Sequence, residues 1–562
     1  MAYKSFTHSR IRPAKWAVMT VGTGLVALLV VLAPSVGARS NTIVRLAATA
    51  TPASGATPQP TLESAEAYTI RGINSYEQGN LEAAIADFTQ AIELQPDYAQ
   101  AYYNRGIAYA DQGNYDAAIA DNSQAIKLQP DYALAYNNRG FDYSQQGNLE
   151  AAIADYNQAI VLQPDLAIAY NNRGDTERQQ GNLEAAIADT TRAIELQPGF
   201  AAAYYNRGLA EADSGNLEAA IADYSRAIDL QPDLADAYTS RGLAYADQGN
   251  YDAAIADYNR AIELQPDDAI TYTNRGITYY HQGRLDEAIA DQNRAIELQP
   301  DLAVAYTNRG VDYVALGNFD AAMADHNQAI ELQPDYAIAY FNRGSVYFLQ
   351  GNLDEAIADF NRAIDLQPDF AEAYNSRGLA YYMQGNLEEA IADTTHAIEL
   401  QPDYAEAYNN RGLASYSQGK LDEALTDYNR AIELNPNYAD PYLNRGNIYL
   451  DRGNLDGAIA EYNHAIKVRP DYAMAYNNRG FAFANQHRFD DAIADYDRAI
   501  ELDPNLALAY GNRGYVYYFQ QDYQRALADL QIYVQLAGDQ ANPQARELII
   551  HIEAQLGTET PP

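Results

Sequence analysis

The sequence predicts an all-α solenoid of about 14 helix–turn–helix units with a C-terminal capping helix. Prolines recur every 34 residues from Pro96 to Pro504, without insertion or deletion, so one segment of fixed length is repeated. The chain contains 48 tyrosines and one tryptophan, an imbalance that repetition of one segment explains. Within each unit, apolar residues recur at the spacing of a helix face.

Each unit is predicted to contain two short antiparallel helices. In the second unit, Asp97 is a candidate cap for the first helix, and Gly113 can end that helix with a positive φ. Asn114 is a candidate cap for the second helix, which Pro130 ends. Two such helices cannot bury their apolar faces alone, so neighbouring units must stack.

These units resemble the tetratricopeptide repeat, whose 34-residue signature has small and aromatic residues at fixed positions. The second unit matches it with Tyr102, Gly106, Tyr109, Ala118, Ala125 and Pro130, and departs from it at Asn122. The array is similar to long arrays of bacterial type. The resemblance implies a right-handed superhelix in which the first helix of each pair lines a concave groove.

Two charged positions depart from the usual signature. Position 7, counted from Ala65 as position 1, is Arg in every unit, and position 23 is acidic in every unit. In an antiparallel hairpin the two positions lie level, so the sequence predicts a row of Arg–Asp pairs between the helices. A structural row that fixes register is favoured over a ligand-binding row.

Position 6 is Asn in most units and forms a predicted ladder. The ladder resembles the asparagine row that grips substrate peptides in eukaryotic O-GlcNAc transferases, because a carboxamide can pair with a peptide backbone. The other interpretation is that Asn was copied with each duplication and meets only water. Repeats 9 and 10 also place aromatic residues on the predicted groove, as partner anchors or as packing between helices. The predicted peptide-binding residues are Asn274, Asn308, Asn342, Phe341, Phe348, Tyr382 and Met383.

The expected partner is a protein or peptide that is neutral or basic. The chain carries 76 Asp and Glu against 37 Lys and Arg, a net charge of −39, which argues against nucleic acid. Position 2 carries no Lys or Arg, so a clamp for a peptide carboxylate is absent. The sequence changes of repeats 4 and 5, with Asp175 and Arg178, indicate either a polar selectivity site or a weakened stack.

The two ends lie outside the repeats. Residues 1–38 have a basic start and an uncharged stretch from Trp16 to Ala38, as in a membrane anchor or a signal peptide cleaved near Ala38. The basic flank predicts that the repeats lie outside the cytoplasm. Residues 39–64 read as a flexible linker, 65–540 as the repeats, and 541–562 as the capping helix and tail.

No pattern in the sequence indicates catalysis or a cofactor. There is no cysteine, no phosphate-binding glycine loop and no paired histidine motif for a metal. The sequence therefore predicts a non-catalytic protein-interaction scaffold, held at a membrane only through the N-terminal segment. The alternative is an accessory subunit of an envelope machine, such as polysaccharide synthesis, secretion or a glycosyltransferase complex.

Overall fold

The computed structural model describes residues 64–558 and is all-α over that range. Its helices form 14 antiparallel pairs and one further helix, which confirms the predicted solenoid of helix–turn–helix repeats. In the described part of the chain, no helix has the length and apolar character needed to cross a membrane. The predicted anchor lies outside this range.

Repeats 1–7 form a compact unit that ends at Pro300. Its helices are α1 Ala65–Glu77, α2 Leu81–Leu94, α3 Ala99–Asp111, α4 Tyr115–Leu128, α5 Ala133–Gln145, α6 Leu149–Leu162, α7 Ala167–Gln179, α8 Leu183–Leu196, α9 Ala201–Asp213, α10 Leu217–Leu230, α11 Ala235–Asp247, α12 Tyr251–Leu264, α13 Ala269–His281 and α14 Leu285–Leu298.

Repeats 8–14 and the last helix form a second compact unit that begins at Asp301. Its helices are α15 Ala303–Ala315, α16 Phe319–Leu332, α17 Ala337–Leu349, α18 Leu353–Leu366, α19 Ala371–Gln384, α20 Leu387–Leu400, α21 Ala405–Ser417, α22 Leu421–Leu434, α23 Ala439–Asp451, α24 Leu455–Val468, α25 Ala473–Asn485, α26 Phe489–Leu502, α27 Ala507–Phe519, α28 Tyr523–Ala537 and α29 Pro543–Thr558. A short 3₁₀ turn, Gly538–Gln540, precedes α29.

The caps of the helices differ between the two members of a pair. In half of the repeats the side chain of Asn at position 16 caps the second helix. As predicted, the Asn114 side chain accepts a hydrogen bond from the Ala117 amide, at 3.2 Å. The predicted cap by Asp97 is wrong, because α3 begins after Tyr98 and no side chain caps it. The first helices therefore depend more on packing than on local capping.

The turn inside each pair uses a left-handed residue at position 15. Gly113 has φ of 78°, as predicted. His487 and Gln521 occupy the same turn position in repeats 13 and 14, with φ of 62° and 63°. A side chain is thus forced into a conformation that glycine adopts more readily.

The core of each repeat lies where the first helix crosses the second. A Cβ atom on Gly208, at position 8, would come within 2.6 Å of the Tyr224 ring, at position 24, so only glycine allows this approach. The alanines at positions 20 and 27 are buried beside it, as Ala220 and Ala227 show in repeat 5. Tight packing of small residues against one ring therefore holds the two helices together.

The last helix, α29, covers the end of repeat 14. Ala545 and Ile552 are fully buried against Leu530 and Tyr533 of α28. The predicted apolar face at Leu548, Ile549 and Leu556 is half-buried on the same cluster. This confirms the predicted cap, which keeps the last apolar surface from water.

Candidate peptide-binding surface

One side of each first helix carries positions 2, 6, 9 and 12 of the repeat, and we call it the first-helix face. These positions follow one another at steps of three or four residues, so their side chains project from the same side. The apolar side of each second helix packs into the core of the repeat, as Ala220, Tyr224 and Ala227 show in repeat 5. The polar row at position 6 and the predicted anchors Phe348 and Tyr382, at position 12, lie on the first-helix face. Phe341 and Met383 lie at the adjacent positions 5 and 13.

The predicted Arg–Asp pairs form in all fourteen repeats. In repeat 7, Arg275 donates from Nε and Nη2 to the two carboxylate oxygens of Asp291, at 2.7 and 2.6 Å. Only 16% of the Arg275 side chain and 9% of the Asp291 side chain are exposed. Repeat 12 makes the same contact with Glu461, through Nη2 of Arg445. The geometry agrees with a structural row and leaves these guanidinium groups little freedom to bind a ligand.

The remaining arm of these arginines reaches the preceding repeat, which sequence reasoning missed. Arg105 Nη1 donates to the hydroxyl of Thr89 at 3.0 Å, and Arg241 Nη1 donates to that of Ser225 at 2.9 Å. The acceptor is always at position 25, where Thr, Ser, Asn and once Asp recur. The recurrence of these hydrogen-bonding residues at position 25 was the sequence signal that could have predicted the contact. In repeats 2–7 and 9–14, these arginines thus join the two helices of their own repeat and also join consecutive repeats.

Most asparagines of the predicted ladder donate to an asparagine of the preceding repeat, usually the one at position 5. Asn206 donates to Asn171 at 3.0 Å, Asn171 donates to Asn172 at 3.2 Å, and Asn172 donates to Asn137 at 3.2 Å. These four side chains are at most 2% exposed. A buried carboxamide whose partners are other carboxamides is already satisfied, so this part of the ladder is structural.

The same pattern recurs where position 5 is Asn and fails where it is not. Asn410 donates to Asn375 and Asn444 to Asn409, each at 3.0 Å. The preceding position 5 for Asn342 is Thr307, whose hydroxyl donates instead to its own helix. Both polar atoms of the buried Asn342 side chain lack a partner among the described residues.

The predicted aromatic anchors lie mainly inside the second unit. Phe341, Phe348 and Tyr382 are 3%, 1% and 8% exposed, which favours the alternative that they pack between helices. The Phe341 ring lies 4.9 Å from the ring of Phe370, and Tyr382 accepts a hydrogen bond from Ser417 in the next repeat. Adjacent first helices approach closely, and large side chains at positions 5 and 12 fill the space between them.

The other predicted residues differ in exposure. Asn308 is buried at 8% exposure, and its Nδ2 has no partner among the residues that the structure describes. Asn274 and Met383 are half-buried and present part of their surface to solvent. The structure therefore brings Asn308, Asn342 and Phe341 into one packed region of repeats 8 and 9. Peptide binding through that region stays a prediction.

Sequence profiles for the TPR repeat, also described as the tetratricopeptide repeat, match most of the described chain. The TPR repeat profile matches residues 75–113, 142–176, 174–213, 208–249, 242–283, 312–351, 344–385, 412–451 and 446–487. Two tetratricopeptide repeat profiles match residues 99–132, 269–302, 371–404 and 473–506, and residues 394–426 and 495–528. The chain belongs to the tetratricopeptide repeat family.

Solved structures share this tetratricopeptide architecture at low sequence identity. The Cut9–Hcn1 hetero-tetramer of the APC/C is 15% identical, with a TM-score of 0.54 over 87% of this chain and 96% of that one. Yeast Tom70 is 18% identical over 77% and 98%, with a TM-score of 0.40. A tetratricopeptide repeat protein from Parabacteroides merdae is 23% identical over 44% and 98%, with a TM-score of 0.39. No curated protein matches the chain.

An open first-helix face with several aromatic residues lies in repeats 13 and 14 of this tetratricopeptide array. The half-buried residues there are Met474, Asn478, Phe481, Leu508, Asn512, Tyr515 and Tyr518. Sequence reasoning missed this surface, although the aromatic residues at position 9 were a visible signal. It combines apolar side chains with carboxamides, the mixture expected of a surface that holds a peptide.

Acids at position 13 of the first helices are partly paired. Asp213 accepts a hydrogen bond from Arg178 at 3.0 Å, and Asp451 accepts one from the Tyr416 hydroxyl at 2.5 Å. Arg178 also contacts the buried Asp175 at 3.2 Å, so the polar site of repeats 4 and 5 is an internally paired network. Some of these carboxylates therefore interact with side chains of the array itself, which leaves less of their charge for a partner.

Proposed function

We propose that this tetratricopeptide array is a non-catalytic scaffold that holds an extended segment of a partner protein. The observation that carries this proposal is the open first-helix face of repeats 13 and 14. Its half-buried aromatic and aliphatic side chains supply apolar contact. Asn478 and Asn512, at position 6, donate to Asn447 and Asn477 of the preceding repeats, so the apolar side chains carry the proposal.

The proposed contacts follow from exposure rather than from residue type alone. Phe481 and Tyr515, both at position 9, are partly accessible to solvent. The side chains of Asn274 and Met383 are also partly accessible in other repeats. Direct contact with the buried Phe341 would require the packed first helices to separate. A partner segment is therefore expected to engage the accessible residues first.

The test is selection of peptides from a random library on the full-length protein, followed by affinity measurement with one double variant and one control variant. Phe481→Ala with Tyr515→Ala should weaken selected peptides by about tenfold or more, because partly buried aromatic side chains commonly dominate interface energy. The matched control is Ile550→Ala on α29, which is 67% exposed and lies off this face. Equal affinity for the wild type and the aromatic variant would reject the proposed surface.

We also propose that residues 16–38 hold the repeats at a membrane, outside the cytoplasm. The support is the uncharged stretch after Lys15, preceded by four basic residues and no acid. Cell fractionation with sequencing of the mature N-terminus tests this proposal. An intact N-terminus in the membrane fraction is expected, whereas a protein found only in the soluble fraction would reject the anchor.

A further inference from the structure

The first-helix face of repeats 13 and 14 carries no charged residue at positions 2, 6, 9, 12 and 13. In repeat 14 these positions hold Leu508, Asn512, Tyr515, Tyr518 and Phe519. Repeats 10, 11 and 12 differ, because position 2 there is Glu372, Glu406 and Asp440. In a chain with a net charge of −39, this end of the array therefore presents an apolar surface without charge.

Asn512 lies in the middle of this surface and has one polar atom without a partner. Its Nδ2 donates to Asn477 of repeat 13 at 3.0 Å. In repeat 13 the equivalent oxygen, on Asn478, accepts a hydrogen bond from Asn477 at position 5, also at 3.0 Å. Position 5 of repeat 14 is Gly511, and no residue in the described chain donates to Asn512 Oδ1. That oxygen is therefore an acceptor available to an external group.

The packing of α28 explains the glycine at position 5. A Cβ atom on Gly511 would lie 3.1 Å from Cδ2 of the Tyr533 ring, a close approach that favours glycine. Tyr533 is buried in the cluster that α29 covers. The contact that closes the end of the stack thus removes the side chain that would otherwise donate to Asn512.

The neighbours of Asn512 on α27 are apolar. Leu508 and Tyr515 lie four residues before it and three residues after it, so they project from the same side. Phe519 extends the same stripe and is 42% exposed. A carboxylate cannot donate to Asn512 Oδ1, and any charged side chain would lose hydration against these apolar groups. A neutral N–H group can donate without that cost.

We propose that this face holds an uncharged, apolar segment of the partner in an extended conformation, with a backbone N–H of that segment donating to Asn512 Oδ1. The inference rests on the proposed scaffold function and names the chemistry of the bound segment. An extended segment is favoured because the interior of a helix uses its backbone N–H groups for its own hydrogen bonds. Every second side chain of such a segment faces the protein and contacts Phe481 and Tyr515.

The charge preference is tested with three short peptides and the full-length wild-type protein, by fluorescence polarisation with an uncharged dye. Each peptide alternates Ser with Leu, and its central Leu is replaced by norleucine, Lys or Glu. Norleucine and Lys share the same carbon chain, so they differ only in the ammonium group. In about 0.5 M NaCl, where attraction to the acidic chain is screened, the norleucine peptide should bind about tenfold or more tightly than either charged peptide.

The backbone donor is tested by N-methylation of the central residues of the norleucine peptide. The methylated peptide should bind the wild type about three- to tenfold more weakly. Asn512→Ala should lose a similar factor for the unmethylated peptide and should not respond further to methylation. Asn444→Ala is the matched control, because Asn444 donates to Asn409 at 3.0 Å but lies between the acids Asp440 and Asp451. It should leave affinity nearly unchanged, and thermal unfolding checks that both variants are folded.

The outcomes separate this inference from the scaffold function. Equal affinity for the norleucine and Lys peptides in high salt would overturn the preference for an uncharged segment. Equal losses in the two asparagine variants, or an equal response to methylation in the wild type and Asn512→Ala, would overturn the role of Asn512 Oδ1. In each of these cases, loss of library binding in the Phe481 and Tyr515 double variant would still support the scaffold surface. Equal library binding in the wild type and that double variant would reject the surface itself.

Discussion

The side chain at position 24 of the repeat affects how favourably the two helices of a pair pack together. Its side chain packs under the glycine at position 8, where Phe88, Tyr224 and Phe360 are at most 1% exposed. In repeat 8 this position is His326, which is fully buried, and neither ring nitrogen has a partner in the described chain. A polar ring in an aromatic position therefore carries an uncompensated desolvation cost.

Replacement of His326 by Phe should stabilise the protein and reduce its sensitivity to acid. Burial lowers the pKa of His326 to about 3, with a further contribution from Arg343. The unfolded state, with a pKa near 6.5, binds a proton that the folded state does not, so stability falls as pH drops from about 6.5 towards 3. Between pH 7 and 5 this residue should cost about 2 kcal/mol.

Denaturant unfolding of the wild type and His326→Phe at pH 7 and pH 5 measures this effect. The variant should be more stable at pH 7 by about 1–3 kcal/mol and should lose less on acidification. Phe360 supplies the precedent, since phenylalanine fits fully buried at this position in repeat 9. An unchanged pH dependence in the variant would show that His326 does not govern the acid response.

The turns of repeats 13 and 14 carry a second residue-scale cost. His487→Gly or Gln521→Gly should stabilise the protein by about 1 kcal/mol each, because both residues have a positive φ that glycine adopts without strain. Gly419→Ala, which places a Cβ at φ of 80° in repeat 11, serves as the reverse control and should destabilise. Midpoints of chemical denaturation report all three changes, and a loss of stability in either glycine variant would contradict this account.

At the scale of helices, one arginine joins the two helices of each pair, and in repeat 7 it also contacts the preceding repeat. Arg275 pairs with Asp291 on the second helix of its own repeat and also with Asn259 of the preceding repeat, at 2.5 Å. The buried asparagines make a second connection between consecutive first helices. The stack therefore uses polar contacts with defined geometry, in addition to apolar burial, to fix the register of its helices.

Removal of either member of the Arg275–Asp291 pair should destabilise the array. Arg275→Ala or Asp291→Ala each leaves a largely buried charge unpaired, a loss of about 3–5 kcal/mol for a buried pair and less where water reaches it. Asn259→Ala removes only the contact to the preceding repeat and should cost about 1 kcal/mol or somewhat more.

A double-mutant cycle measures the coupling between Arg275 and Asp291. The double variant should lose less stability than the sum of the single variants, because the second replacement removes a charge that is already unpaired. Strictly additive losses would show that the two side chains do not interact in solution.

For the whole molecule, the free ends of the stack need protection. At the C-terminal end, α29 covers Leu530, Tyr533 and Tyr517, and the Tyr533 hydroxyl accepts a hydrogen bond from the Asn542 amide at 3.0 Å. The net charge of −39 keeps such molecules apart in solution through mutual repulsion.

Deletion of residues 541–562 should therefore expose an apolar surface and destabilise the last repeat. The truncated protein is expected to bind a hydrophobic dye and to unfold at a lower temperature, because the terminal repeat loses its cap. Deletion of residues 559–562 alone preserves α29 and is the control. Equal dye binding and equal unfolding temperature in both truncations would show that α29 does not protect the stack.

Within a repeat, the sequence by itself determined the pairing of helices, the glycine turn, the Asn cap of the second helix and the Arg–Asp pairs. Each of these features depends on residues of one hairpin, so the spacing along the chain is sufficient to predict it. The expected cap by Asp97 failed because packing, rather than a side-chain cap, sets where α3 begins.

The exposure of the first-helix face was decided only by the tertiary structure. Sequence spacing placed Phe348 and Asn342 on that face and Phe341 next to it, but the neighbouring first helices bury all three. The same packing pairs most asparagines of the ladder with other asparagines of the preceding repeat, while Phe481 and Tyr515 stay partly accessible. Exposure depends on the size of side chains in adjacent repeats, because those side chains compete for the space between consecutive helices, and spacing within one repeat does not contain that information.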